Sequence, residues 1–318
     1  MKAKTLAWLL TGSLLLLIHA QALAQTIAYY RFEESTPGTK VPVTPDALAP
    51  AGSPVLDYSG HGNNLKAFAD FSAPTYSANV PAAFIPQTGA TNQHSMSFVP
   101  NEDLYSLNAV GGGPNGGTLN DHAFPTFTVE ASVQFNSVDG FQTFVGRDRP
   151  GSTLGLFYLR KWGSFGASDP NTNTFNVTVV ADDNTTFDLW STGTGPNDTI
   201  STVSPGVWYN VVAESDGSRL SLFIQNPTTK VYELQGSIPI TTPLSSTGFT
   251  NFTIGRGWFN SPTDFVNGTI DEVRISDVAL SPSQFLFAAV PEPSAWALAL
   301  TSVLTGTGLL LRRRRAGV

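Results

Sequence analysis

The stretch FPTFTVEASVQF, residues 124–135, alternates apolar and polar side chains along most of its length. Its apolar positions are Phe127, Val129, Ala131, Val133 and Phe135, and the polar positions between them are Thr128, Glu130, Ser132 and Gln134. Because the side chains of a strand point alternately to its two faces, this pattern predicts a β-strand with one face in a core and the other in water. Strands of this kind are typical of antiparallel sheets.

The stretch GVWYNVVAESDGSRLSLFIQ, residues 206–225, predicts a hairpin of two such strands. Its turn contains Asp216 and Gly217, a residue pair that accepts the backbone dihedrals of tight turns. Trp208 belongs to the first of the two strands, and we expect its side chain to pack in the core. Further strands are predicted at FNVTVVA (175–181), FTIGRG (252–257) and GTIDEVRIS (268–276).

Helical periodicity is weak between residues 25 and 289, so the body of the chain is predicted to be an all-β sandwich. One helical signal follows the last strand, where Ser281, Pro282 and Gln284 form a capping-box pattern. It predicts a short helix or a helical turn that closes the domain. The Gly-rich stretch 111–117 lacks the Gly-Lys-Ser/Thr of a phosphate-binding loop and predicts a surface loop.

The amino-acid composition excludes several classes of protein. None of the 318 residues is cysteine, which excludes disulfides, thiol catalysis and thiolate metal sites. Six of the 17 basic residues and one of the 24 acidic residues lie in the two terminal segments discussed below, so the part between them has 11 basic and 23 acidic residues. A net charge near −12 argues against nucleic acid and anionic membrane surfaces as partners.

Residues 1–24 have the organisation of a secretory signal peptide. Lys2 and Lys4 precede an apolar stretch, and a small-x-small cleavage site ends at Ala24. The apolar stretch is short for a membrane span, which favours cleavage over an uncleaved N-terminal anchor. We therefore expect the body of the protein to be exported.

The chain ends in VPEPSAWALALTSVLTGTGLLLRRRRAGV, residues 290–318. Residues 294–311 carry no charge and are long enough to form a transmembrane helix. The arginines at 312–315 would place the C-terminus in the cytoplasm by the positive-inside rule. Pro291, Glu292 and Pro293 precede the apolar segment, and the two prolines favour an extended peptide that a protease could bind.

This order of Pro-Glu-Pro, apolar span and arginine cluster resembles the PEP-CTERM sorting signal of Gram-negative bacteria. The resemblance covers residues 290–315 and implies transient anchoring in the inner membrane, with processing by exosortase at or near Pro291, Glu292 and Pro293. It also implies delivery to the cell envelope, the outer surface or an extracellular matrix, in the context of exopolysaccharide and biofilm. A permanent tail anchor with the body outside is the alternative.

Five segments of the body occur in an order that resembles the laminin-G-like, concanavalin A-like lectin/glucanase superfamily. They are IAYYRFEES (27–35), VLDYSGHGNNLKAF (55–68), FTVEASVQF (127–135), GVWYNVVAESDGSRLSLFIQ (206–225) and NGTIDEVRISDVALSPSQF (267–285). The resemblance implies one domain over residues 25–289, folded as a jelly roll of two packed antiparallel sheets.

Two aspartates are candidate calcium ligands. Asp57 begins the oxygen-rich loop DYSGHGNN, and Asp271 has the strand parity of Val273, which predicts a core-facing carboxylate unless a bulge intervenes. A buried carboxylate must be hydrogen-bonded or bind a metal, and calcium prefers such oxygen ligands. Relatives on this fold often hold a structural calcium. The hypothesis is a Ca²⁺ site of Asp57 and Asp271 with Asn63 or Glu33; the alternative is an Asx-turn at Asp57 and a hydrogen-bonded Asp271.

Three tryptophans in polar or Gly-rich surroundings are candidate sugar contacts: Trp162, Trp190 and Trp258, the last with Asn260 and Asp264 nearby. Aromatic rings can pack on the C–H faces of sugars while amides and carboxylates bind their hydroxyls. Core packing of each tryptophan is the alternative, because large aromatic side chains are usually mostly buried.

The sequence contains no motif that indicates a catalytic function. Hydrolases of this fold carry Glu-x-Asp-x-Glu or a near variant on one strand, and the acids at Glu130 and Asp271 do not match it. The sequence therefore predicts a non-catalytic binding module for exopolysaccharide or another extracellular polysaccharide. A structural or adhesive surface protein that binds proteins is the first alternative, and a glycoside hydrolase is the second.

Overall fold

The computed structural model describes residues 26–44, 55–68, 71–106, 119–191, 201–244 and 250–290. The predicted signal peptide and the sorting segment from Pro291 onward lie outside these ranges, as does the Gly-rich stretch 111–117. In the part of the chain that is described, no helix has the length and apolar character that a membrane span requires.

The strands within the described ranges are, in chain order, β1 (Thr26–Tyr30), β2 (Val43–Thr44), β3 (Leu65–Phe68), β4 (Thr75–Ser77), β5 (Phe84–Ile85), β6 (Ala90–Thr91), β7 (Ser95–Phe98), β8 (Leu104–Ser106), β9 (Phe127–Phe135), β10 (Gln142–Arg147), β11 (Phe157–Lys161), β12 (Phe175–Val180), β13 (Thr186–Trp190), β14 (Trp208–Ser215), β15 (Arg219–Gln225), β16 (Tyr232–Pro239), β17 (Phe252–Ile254), β18 (Gly257–Phe259), β19 (Ser261–Thr263) and β20 (Gly268–Ser276). Two single 3₁₀ turns accompany them, Leu119–Asp121 and Pro282–Gln284.

These strands form two large sheets. Sheet one has the order β16-β15-β14-β9-β20-β7-β4, with β1 also paired to β20, and sheet two has the order β13-β12-β11-β10-β17-β8-β3-β2. All pairings in both sheets are antiparallel except the short pair β2–β3. The predicted fold class, an all-β jelly-roll sandwich of two antiparallel sheets, is confirmed.

The core lies between the two sheets and is rich in aromatic side chains. Phe127 of sheet one meets Phe157 of sheet two edge to face, with 5.7 Å between ring centroids. The ring centroid of Phe135 lies 6.2 Å from that of Phe144 and 6.3 Å from that of Phe175. Aromatic packing of this kind adds to the hydrophobic stabilisation that burial supplies, which suits a domain without cysteine.

The sequence prediction for the central strand β9 is confirmed for one of its two faces. Its apolar residues enter the core, but Thr128, Glu130 and Ser132 on the opposite face are buried instead of wet. The chain after β20 covers the part of this face with Thr128 and Glu130. The Leu286 amide donates to Glu130 Oε2 at 2.7 Å, and the Leu280 amide donates to Thr128 Oγ1 at 2.9 Å. This segment contains the single 3₁₀ turn Pro282–Gln284 with its capping box, as the sequence predicted.

The predicted hairpin is present as β14 and β15, with Gly217 at φ 87° in its turn. The prediction that Trp208 packs in the core is wrong. Tyr209, its neighbour in β14, enters the core, so Trp208 points to the outer face opposite Gln134. There its Nε1 donates to Asn79 Oδ1 at 3.1 Å.

Candidate functional site

The outer face of sheet two carries a continuous row of side chains from strand to strand. Phe157 and Leu159 of β11 enter the core, so Tyr158 between them points outward. Following the strand register from Tyr158 in both directions gives the row Lys66, Tyr105, Thr253, Gly146, Tyr158, Thr178 and Asp188. This face is therefore polar and aromatic, unlike the apolar inner face.

A hairpin of β18 and β19 lies across this row at Gly146. A Cβ atom at Gly146 would come within 2.7 Å of both the Arg256 carbonyl oxygen and Thr253 Oγ1. The absence of a side chain thus lets the backbone at the start of the hairpin approach the sheet. Asn260 and Asp264 both have a positive φ, at 58° and 54°, where short polar residues are tolerated better than most.

An open cleft of about 230 Å³ lies beside the hairpin. Its lining consists of five aromatic rings, one aliphatic side chain and three polar side chains: Phe141, Tyr158, Phe165, Trp258, Phe259, Leu154, Arg160, Thr263 and Asp264. Phe165 is 80% exposed and Phe259 is 55% exposed, although neither carries a polar atom in its side chain. Two exposed rings beside polar groups are the arrangement that a ligand with apolar faces and hydroxyls would require.

A cluster of aromatic rings supports the wall formed by Phe141 and Phe165. The Trp162 ring lies 4.9 Å from Phe141, 5.3 Å from Phe165 and 5.3 Å from Trp190, measured between centroids. Trp162 Nε1 donates to Asp169 Oδ2 at 3.0 Å, which fixes the indole. Trp162 is only 7% exposed, so its observed contacts support the wall.

Arg160 occupies the floor of the cleft. Its guanidinium lies 4.6 Å from the centroid of Tyr158 and 4.7 Å from that of Trp162. Nε donates to Asn176 Oδ1 at 2.9 Å, and Nη1 lies 3.4 Å from Asp264 Oδ2. Burial lowers the pKa of Arg160, and Asp264 opposes that change. Burial raises the pKa of Asp264, and Arg160 opposes it.

The structure brings together part of the predicted sugar site. Trp258 and Asp264 line the cleft, and Asn260 lies exposed in the turn of the hairpin beside it. Trp162 and the half-buried Trp190 belong to the supporting aromatic cluster. A sugar-contact role for all five residues stays a prediction.

Several residues of the cleft were missed by sequence reasoning: Phe141, Leu154, Tyr158, Arg160, Phe165 and Phe259. Two of them left a usable signal. Phe165 is an aromatic residue inside the polar stretch GSFGAS, and Arg160 follows Leu159 in a strand whose alternation places it outward. Phe259 directly follows Trp258, but no local pattern indicates which of the two rings would be exposed.

Asp57 organises its loop through hydrogen bonds. Its Oδ1 accepts from the amides of Tyr29 and Ser59 at 2.9 Å and 2.8 Å, and its Oδ2 accepts from the Asn63 amide at 2.9 Å. The Asn63 side chain in turn donates to the Ile27 carbonyl at 2.7 Å. These contacts tie the loop to β1, which is the geometry of the Asx-turn alternative.

Asp271 does not face the core, because the bulge given as the exception in the sequence-based prediction is present. A bulge interrupts the pairing of β20 with β9 between Asp271 and Arg274, and Glu272 within it has φ 48°. Asp271 consequently pairs with Ser132 on the outer face of sheet one, where it is nevertheless fully buried. Its Oδ2 accepts from Asn92 Nδ2 at 2.7 Å and its Oδ1 from the Glu272 amide at 2.9 Å.

The pair of adjacent carboxylates at Asp271 and Glu272 is electrostatically unfavourable when charged. Burial raises the pKa of Asp271 well above its usual value, and the charge of Glu272 adds to this. Burial raises the pKa of Glu272 to about 7, against the hydrogen bond from Tyr29 and the charge of Arg31. A cation beside this pair would reverse these directions.

The surroundings of the two aspartates bear on the calcium hypothesis. In the described ranges, no three His, Cys, Asp or Glu side chains come together in a way that could hold a metal ion. Both carboxylate oxygens of Asp57 and of Asp271 accept N–H donors. Beside Asp271, the buried Asn92 Oδ1 has no hydrogen-bond partner among the described residues, and Glu33 accepts from the amide of Gln93, next to Asn92. A calcium site at either position stays a prediction.

Comparison with known proteins places this geometry among lectin-like sandwiches. The sequence model of the family described as "Concanavalin A-like lectin/glucanases superfamily" matches residues 111–285. Among curated protein sequences, none matches this chain.

Solved structures with a similar fold include three binding or accessory domains. The binding domain of Paraclostridial Mosquitocidal Protein 1 is 12% identical with a TM-score of 0.51, over 84% of this chain and 52% of that one. The binding domain of botulinum neurotoxin DC in complex with SialylT is 12% identical with a TM-score of 0.49, over 83% and 51%. Domain 4 of AbnA, an extracellular GH43 arabinanase from Geobacillus stearothermophilus, in complex with arabinotriose, is 13% identical with a TM-score of 0.47, over 83% and 98%. The chain thus spans about half the length of the two toxin binding domains, and at these identities the likeness is one of fold.

Proposed function

Because the chain belongs to the concanavalin A-like lectin/glucanase superfamily, we propose that it is an exported, non-catalytic module that binds polysaccharide. Lectins and glucanases share a ligand class, and the fold alone does not decide between binding and cleavage. The proposal therefore depends on the chemistry of the cleft beside the hairpin β18–β19.

The observation that carries the proposal is the exposure of Phe165 and Phe259 in one cleft whose lining also includes Arg160, Thr263 and Asp264. Exposed phenylalanine rings cost hydration free energy, so two of them in one cleft indicate a surface that a ligand covers. Sugars present apolar C–H faces to such rings and hydroxyls to groups such as Asp264. The volume of about 230 Å³ is below the range of pockets that enclose whole small ligands, about 300–1,000 Å³, and suits one unit of a longer chain.

The carboxylates of the cleft support binding over hydrolysis. Glycoside hydrolysis uses two carboxyl groups on opposite sides of the scissile bond. Among the residues that line the cleft, Asp264 is the one carboxylate, and it is paired with Arg160. Two pairs of buried carboxylates do not line the cleft: Asp271 and Glu272 lie on sheet one, and Asp103 and Asp148 both pair with Arg256.

The terminal segments extend this proposal to the location of the protein. The signal peptide would export the domain, and the Pro-Glu-Pro tail would anchor it transiently in the inner membrane until an exosortase processed it. The binding module would then be delivered to the envelope, the outer surface or the matrix of a Gram-negative cell, where exopolysaccharide is the expected ligand.

The test uses the full-length protein in detergent and a panel of soluble polysaccharides in affinity electrophoresis. We expect retardation by at least one polysaccharide, weakened about two- to tenfold by Phe165→Ala or Phe259→Ala because each removes one stacking ring. Phe84→Ala is the matched control, since Phe84 is 51% exposed on β5, outside the cleft.

Three outcomes would contradict the proposal. Migration unaffected by any polysaccharide would exclude glycan binding, and capture of protein partners without glycan affinity would favour the adhesive alternative. Release of reducing ends that is lost on Asp264→Asn would establish a hydrolase instead.

A further inference from the structure

Arg160, the cation on the floor of the cleft, has all three of its nitrogens engaged. Nε donates to Asn176 Oδ1, Nη2 to Thr178 Oγ1 at 3.3 Å, and Nη1 reaches Asp264 Oδ2. The Arg160 side chain is 12% exposed. An anionic ligand would have to break one of these contacts before it could pair with the guanidinium.

The cations on either side of Arg160 in the chain are also held by other groups. Lys161 points away from the cleft floor and is fully buried, with its Nζ donating to the Val138 carbonyl. Arg149 donates from Nη1 to Asn184 Oδ1 at 2.6 Å. Neither side chain belongs to the cleft lining.

One carboxylate, Asp264, and one cation, Arg160, line the cleft, so the lining carries no net charge. Two more carboxylates lie close to it. Asp188 accepts from Thr178, which is itself a partner of Arg160, and Asp169 accepts from Trp162 Nε1 and from the Phe165 amide. Among the lining residues, no cation has a nitrogen that is not already engaged.

From this charge distribution we propose that the cleft takes uncharged, hydroxyl-rich glycans and discriminates against uronate or sulfated ones; the inference rests on the proposed function. Sugar hydroxyls can donate hydrogen bonds to Asp264, whereas a carboxylate or sulfate on the sugar can only accept them. The carboxylate of Asp264 would also repel an anionic group, because like charges in a partly desolvated cleft repel more strongly than in water.

The experiment compares polymers that share one backbone and differ in charge. Full-length protein in detergent is tested in affinity electrophoresis against methyl-esterified and de-esterified homogalacturonan, hydroxyethyl and carboxymethyl cellulose, and unsubstituted and glucuronate-substituted xylan. For each backbone that retards the protein, the uncharged member is expected to bind at least tenfold more tightly at 20 mM salt. The difference should shrink at 500 mM salt, since salt screens the repulsion.

Substitution of Asp264 tests whether the discrimination between charged and uncharged polymers arises in the cleft. Asp264→Asn removes a negative charge and frees Nη1 of Arg160, and we expect it to reduce the discrimination against the charged polymer by at least threefold. Asp216→Asn makes the same change of net charge in the β14–β15 turn on sheet one and should leave the discrimination unchanged.

The results separate this inference from the proposed function. Equal or tighter binding of the charged members overturns the inference alone and leaves polysaccharide binding intact. Discrimination that falls equally in Asp216→Asn also overturns it, since the overall charge of the protein would then be the cause. Absence of binding to every polymer at both salt concentrations overturns the inference together with the proposed function.

Discussion

The carbonyl oxygen of Arg256 lies where the side chain of residue 146 would be: a Cβ atom on Gly146 would come within 2.7 Å of it. This contact positions the hairpin β18–β19, whose Trp258 and Phe259 form one wall of the cleft. We expect Gly146→Ala to displace the hairpin, to lower the melting temperature and to weaken polysaccharide binding together, because a backbone atom cannot yield as a flexible side chain can.

Gly166→Ala is the control for the thermal measurement. A Cβ atom at Gly166 meets nothing within 4 Å, so the same chemical change should leave the melting temperature almost unaltered. Equal melting temperatures for Gly146→Ala and the wild type would show that the hairpin is not held by this close approach.

Buried charges at Arg256 provide a second prediction. Its Nη1 donates to Asp148 Oδ1 at 2.7 Å and its Nε donates to Asp103 Oδ2 at 2.5 Å, with both carboxylates almost completely buried. Arg256→Met would leave them without a cation, and breaking a buried pair typically destabilises by about 3–5 kcal/mol. Chemical denaturation should show this loss.

The triple variant Arg256→Met, Asp103→Asn, Asp148→Asn tests the cause of that loss. It removes the two charges that the single variant leaves behind, so we expect it to recover part of the free energy of unfolding. A triple variant no more stable than Arg256→Met would mean that packing of the arginine, and not its charge, is what matters.

Local pattern predicted the strands better than it predicted the site. The alternation in residues 127–135 was sufficient for β9, because period two follows directly from strand geometry. It could not reveal that the face with Glu130 is covered, since the covering segment around Leu286 is distant in sequence. The bulge at Glu272 turns Asp271 to the face opposite the one that simple alternation predicts. Such a bulge cannot be recognised from the hydrophobic pattern, because a single residue with positive φ does not change that pattern.

The cleft was only partly predictable for a related reason. Trp258 and Asp264 belong to one continuous segment, which polar and aromatic composition could single out. Phe141, Arg160 and Phe165 reach the same cleft from other parts of the chain, through the pairing of β10 with β11 and the loop that follows. Only the three-dimensional register of the sheet brings them together.

Stability should depend on pH through Glu272. Its folded pKa of about 7 lies above the ordinary 4.5, so its contribution to stability is complete below pH 4.5 and is lost as the pH rises through 7. Relative to Glu272→Gln, the wild type should lose roughly 3 kcal/mol of unfolding free energy between pH 4.5 and pH 8. Urea denaturation of both proteins across this range measures the difference; parallel curves would contradict it.

Calcium should counteract this loss if it binds beside Asp271. The ion would favour the charged carboxylates and use Asn92 Oδ1, which has no hydrogen-bond partner in the part of the chain that the structure describes. We therefore expect Ca²⁺ to raise the melting temperature relative to EDTA at pH 7.5. Asp271→Asn should abolish the increase. Asp57→Asn should lower stability but retain the increase, because its hydrogen bonds serve the loop. An unchanged melting temperature with calcium would exclude the site.

The fate of the C-terminal tail is the last prediction. Mass spectrometry of the protein recovered from its native host should find a C-terminus at or near Pro291–Pro293, since two prolines in Pro-Glu-Pro favour an extended peptide that a processing enzyme could bind. Replacing Pro291 and Pro293 by alanine would let a helix continue through the site, so the intact chain should accumulate in the inner-membrane fraction. Ser294→Ala is the matched control and should be processed as the wild type is. An intact Val318 in the wild-type protein would instead establish a permanent anchor, with the domain held at the membrane outside the cytoplasm.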